Sequence, residues 1–91
     1  MVPETLQNQL ASYGITDFSE TALREALEIH VPTYTLIRLA DWPARRWKCR
    51  YRLMRGDILH DAQTVPEAYA LGLLAALKEA SQSSQTNTET S

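Results

Sequence analysis

Basic side chains recur at every second position from Arg46 to Arg52, and alternation of that kind is the most chemically suggestive feature of the chain. Arg46, Lys48, Arg50 and Arg52 interleave with Trp47, Cys49, Tyr51 and Leu53. In an extended strand this pattern puts cations on one face and apolar groups on the other. Alternate side chains on a strand stand about 6.6 Å apart, close to the phosphate spacing along one nucleic-acid strand. Between Arg38 and Arg55 there are seven basic residues against the single acid Asp41. The remainder holds two basic residues and ten acids, so a +6 segment is set against −8 within a net charge of −2. Six of the seven cations are arginine, whose planar fork suits bidentate contact with phosphate or carboxylate.

The candidate binding surface is therefore Arg38, Arg46, Lys48, Arg50, Arg52 and Arg55, with Arg45 at its border and Trp42 beside it. An exposed tryptophan among arginines stacks on a base or anchors a protein contact. Folded back, Trp42 instead caps the core. An acidic protein surface and a nucleic-acid backbone fit the charge pattern equally well. The competing account is a solvated sheet face, kept basic against edge pairing and balanced by acidic helices.

Other reactive types lead nowhere comparable. Cys49 alternates with Lys48 and Arg50, which assigns it to the apolar face, where a thiol is an inert small hydrophobe. His60-Asp61 is one adjacent pair and too little for a metal site. Arg55-Gly56-Asp57 matches an integrin-binding tripeptide by letters, but reads as a hairpin turn with Gly56 at positive φ. The expectation is a non-enzymatic protein with no metal, no cofactor and no small-molecule substrate.

The elements that must carry this strand follow from periodicity. Pro3, Glu4, Leu6, Leu10 and Tyr13 predict a helix over 3–13, ended by Gly14. Asp17-Phe18-Ser19-Glu20 predicts a second helix start, with Asp17 or Ser19 as N-cap. That helix runs to His30 ahead of Pro32, with Ala22, Leu23, Ala26, Leu27 and His30 as its stripe. Thr33 to Leu39 reads as a first strand, Arg46 to Leu53 as a second, and Ile58-Leu59-His60 opens a third. Thr64-Val65-Pro66-Glu67 has N-cap chemistry for a helix to Ala80. From Ala68 to Leu77 this helix is apolar all round, which requires cover on more than one side.

The order is α-α-β-β-β-α, an α+β domain over 1–80. The last helix lies on the apolar face of a three-stranded antiparallel meander, and the first two cover its far side or one end of the sheet. Residues 81–91 lack apolar side chains and are expected to form a disordered polar tail. From Trp47-Lys48 to Thr64-Val65-Pro66-Glu67-Ala68-Tyr69, the ββα outline resembles the arm-binding domains of phage-type integrases and the plant AP2 type. The likeness is topological and assigns no residue.

With 44% hydrophobic and 22% charged residues, the composition is that of a globular protein. A single cysteine excludes an internal disulfide, and neither a secretory leader nor a membrane span is legible. A cytoplasmic interaction module is the reading that results. A structural subunit, self-associating into a homo-oligomer through spare apolar surface of the last helix, is the alternative.

Overall fold

The computed structural model describes residues 2–39 and 50–90, with side chains through 81. Its elements are α1 (Glu4–Ala11), α2 (Glu20–His30), β1 (Thr35–Arg38), β2 (Tyr51–Arg55), β3 (Ile58–Ala62) and α3 (Val65–Thr90). The three strands form one antiparallel sheet in the order β1-β2-β3. Among the described residues no helix is long and apolar enough to cross a membrane.

Local chemistry accounts for the helix ends. Pro3 precedes α1 as its N-cap instead of entering the first turn. At the other end Gly14 takes φ +89°. Its N–H donates to the Ala11 carbonyl at 2.9 Å, and the Ile15 N–H donates to the Leu10 carbonyl at 3.1 Å. This is a Schellman closure, and Ile15 packs against the core beside it. Ser19, not Asp17, is the N-cap of α2, its Oγ accepting from the Ala22 N–H at 3.3 Å. Asp17 is already engaged, because its carboxylate accepts from the Ser19 N–H at 3.0 Å and shapes the turn before the helix. Thr64 caps α3 by accepting from the Glu67 N–H, while the Glu67 carboxylate reaches back to the Gln63 N–H.

The buried stripe of α2 differs from expectation at its end. Leu23 and Leu27 are fully buried and Val31 continues the line, whereas His30 is exposed. Residues 23, 27 and 31 recur every fourth position, and His30 falls off that line toward solvent. Just beyond, the Tyr34 hydroxyl donates to Glu28 at 2.7 Å and its ring meets Tyr69 edge-to-face at 6.2 Å. Burial and then the Glu28 carboxylate raise the Tyr34 pKa above its ordinary value.

α3 occupies the middle of the molecule. It packs against β2 and β3 on one side, and against α2 and α1 on the other. Every residue from 68 to 77 is accordingly buried or half-buried. The all-round apolar stretch is thus covered from two sides, with Leu71, Ala75 and Leu77 half-buried. At the centre of this sandwich lies Gly72. A Cβ there would sit 3.0 Å from Leu53 Cδ2 of the sheet and 3.5 Å from Leu27 Cδ1 of α2. The missing side chain lets both layers close on one helix at the same point.

Strand bounds are shorter than the propensities suggest at β1, and β2 extends past Leu53 to Arg55. The expected start of that strand at Arg46 lies outside the described residues. α3 continues to Thr90, past the end expected at Ala80. The expectation of a disordered tail concerns residues whose side chains are mostly outside the described set.

Leu53→Ala removes a fully buried side chain from the seam and is expected to cost about 2–5 kcal/mol. Gly72→Leu, which pushes Leu53 and Leu27 apart, should cost about 1–3 kcal/mol or more. By contrast Ile29→Ala, at a position 79% exposed, stays within about 0.5 kcal/mol. Urea unfolding of the three variants checks the ranking.

Candidate functional site: the outer face of the sheet

Strand register decides which side chains share a face, since residues directly opposed across an antiparallel pair project the same way. Gly56, at φ +62°, makes the turn with Asp57, so Arg55 opposes Ile58 and each earlier residue of β2 opposes the next of β3. Four cross-strand rows result. Leu36–Leu53–His60 and Arg38–Tyr51–Ala62 belong to the side of α3, where Leu53 and Ala62 are buried. Thr35–Met54–Leu59 and Ile37–Arg52–Asp61 belong to the face turned away from it.

This outer face is mixed in character. Arg52 lies in its middle, half-buried, with Nε donating to Asp61 Oδ1 at 2.7 Å and Nη2 to Oδ2 at 3.1 Å. A bidentate fork on a directly opposed carboxylate neutralises that cation within the sheet. Around the pair stand Ile37, Met54 and Leu59, of which Ile37 is 36% and Leu59 51% exposed. Arg50 precedes β2 and is exposed. Its N–H donates to the Ala62 carbonyl at 2.9 Å and its own carbonyl accepts from the Leu39 N–H at 2.8 Å, so its backbone joins the ends of both outer strands.

Of the seven residues assigned to the basic surface, the four that are described, Arg38, Arg50, Arg52 and Arg55, are thus dispersed. Arg50 and Arg52 come together at β2, as the alternation implies. Arg38 is exposed but opposes Tyr51, on the α3 side of the edge strand, and does not widen the outer face. Arg55 also turns to the α3 side, where its guanidinium pairs with Glu79. The same pairing draws the Arg55 side chain to Glu79, while Gly56 and Asp57 stand exposed in the hairpin turn. Trp42, Arg45, Arg46, Lys48 and, on the expected apolar side, Trp47 and Cys49 lie outside the described residues.

Ile37, Met54 and Leu59 are surface features that strand-by-strand reading passes over. The signal for them was present: a two-residue turn at Gly56-Asp57 dictates the 55–58 pairing, and the pairing dictates the rows. Among the described residues, no three His, Cys, Asp or Glu side chains gather as a metal site would need.

Arg52 and Asp61 are each partly open to solvent, so Arg52→Gln is expected to cost no more than about 1 kcal/mol in thermal or urea unfolding. Raising the salt concentration should shrink even that difference.

No family model matches this chain, and no curated protein or solved structure matches it, so the candidate surface is read from its own geometry.

Proposed function

We propose that the chain is a small non-enzymatic interaction module that holds an acidic protein partner against the outer face of its sheet. One observation carries this reading. Exposed aliphatic side chains, Ile37 and Leu59, flank Met54 and Arg52 on the face turned from α3, with Arg50 at the border. Accessible aliphatic groups beside arginine suit a protein-binding surface, where charged groups direct association and desolvated apolar groups supply affinity. Arg50, exposed at the border of this face, makes an acidic partner complementary to it.

Nucleic acid fits the same face less well. Asp61 beside Arg52 disfavours phosphate and partner carboxylates alike, so the distinction rests on the apolar groups. Ile37, Met54 and Leu59 offer no flat π-face for a base, whereas single-strand binders use aromatic platforms. The described tyrosine of β2, Tyr51, lies on the opposite side.

Affinity capture from cell extract with the wild-type chain and an Ile37→Asp/Leu59→Asp double variant tests this reading, with circular dichroism confirming the fold of both. Expected is a set of protein partners that survives nuclease treatment, is released as salt rises, and is lost with the double variant. Identical partners for the two chains would dismiss the face. Partners released by nuclease would transfer the function to nucleic acid.

A further inference from the structure

The side of the sheet that faces α3 carries a second group of polar residues, opposite the outer face. Arg55 opposes Ile58 and His60 opposes Leu53, so Arg55 and His60 are diagonal neighbours across β2 and β3. Arg55 Nη1 donates to Glu79 Oε1 at 3.3 Å, and Nη2 donates to Oε2. This contact ties the end of β2 to α3 just past the stretch of the helix that the core holds. The Arg55 side chain is 15% exposed and that of Glu79 52%, which places the cation inside the seam and the carboxylate on its rim.

Two polar atoms in this cluster are buried without a hydrogen-bond partner, Arg55 Nε and His60 Nε2. A ring nitrogen in that position tolerates the neutral imidazole far better than the cation, because a proton placed on it adds a buried charge with no acceptor. Among the described residues, the charges acting on the ring are Arg55 from β2, Glu79 from α3 and Asp61 on its own strand. The Asp61 carboxylate is held by Arg52 on the far face. Burial first, and Arg55 second, hold the His60 pKa below 6.5, against the opposing pull of Glu79 and Asp61.

We propose that His60 makes the Arg55–Glu79 contact an acid-released latch on the distal part of α3. With the ring neutral, the seam contains one cation and Glu79 closes over it. Protonation sets a second cation beside Arg55 in a poorly solvated place; Glu79 attracts it, but burial and Arg55 oppose it more strongly, and exposing the ring to water relieves that cost. The arm of α3 beyond Leu77 then lifts from the sheet, while the residues around Gly72 keep their cover from both layers. The sign follows from linkage. A histidine with a depressed folded pKa contributes fully above 6.5, and its contribution is lost as pH falls through the folded value. Arg55 likewise holds the Glu79 pKa below 4.5, so this carboxylate stays charged while His60 titrates.

Amide-exchange protection factors from NMR, measured on the full chain between about pH 7.5 and pH 5, test the latch alongside the ring-proton titration of His60. Expected is a loss of protection at residues 77–81 as pH falls from about 6.5 toward the folded His60 pKa, by up to about tenfold per pH unit and levelling off below it, with residues 68–74 unchanged. His60→Gln should hold its protection across the range. Glu79→Gln, altered at an exposed position, should already be open at pH 7.5 and show no further change. Flat wild-type protection through the His60 titration, or the same acid loss in His60→Gln, overturns the proposal. The wild-type titration and Glu79→Gln decide it even if His60→Gln fails to fold.

Discussion

Two layers close on one helix at a point where it has no side chain. Leu53 from the sheet and Leu27 from α2 both reach Gly72, and the apolar stretch of α3 on either side of that residue is covered by both. A chain of this size has one core, and among the described residues α3 supplies more of its buried side chains than any other element: Ala68, Tyr69, Ala70, Leu73, Leu74 and Ala76. The glycine costs about 1 kcal/mol of helix propensity relative to alanine. The burial of leucines from both layers, about 1.5–3 kcal/mol each, exceeds that cost. Every other element is placed by this contact, since the sheet and the N-terminal helices meet chiefly through α3.

With one side of the sheet committed to α3, the two sides of β2 carry different chemistry. On the inner side Leu53 is buried among apolar neighbours, and Arg55 is accepted only because Glu79 lies at the edge of the helix. On the outer side Arg52 is matched with a directly opposed carboxylate, leaving aliphatic groups as the most accessible part of the surface. Arginines five residues or fewer apart thus have separate roles. Arg52 is internal to a cross-strand pair, Arg55 fastens strand to helix, and Arg50 remains open to a partner. The proposed binding face and the proposed latch lie on opposite sides of the same sheet, and Asp61 of the outer face acts on His60 through its charge.

Much of this architecture is legible in the chain itself. The order α-α-β-β-β-α, the turn at Gly56, the cap at Thr64 and the closure at Gly14 depend on neighbours within a few residues, and local chemistry is sufficient to specify them. The apolar character of residues 68–77 announces a helix covered on several sides, as found. Which of Asp17 and Ser19 caps α2 is a competition between two local hydrogen bonds, and a sequence motif that fits both does not resolve it.

What only the tertiary structure decided is the allocation of charge. Seven basic residues in eighteen positions form a continuous patch when counted along the chain. In three dimensions Arg52 meets Asp61 nine residues away and Arg55 meets Glu79 twenty-four residues away. Net charge and alternation are properties of one strand, and they determined that β2 has a polar and an apolar side. Neutralisation depends on partners supplied by other elements, through register in one case and the packing of α3 in the other. A carboxylate distant in sequence has no influence on a periodicity, yet once the chain is folded it determines which cations remain to meet a partner.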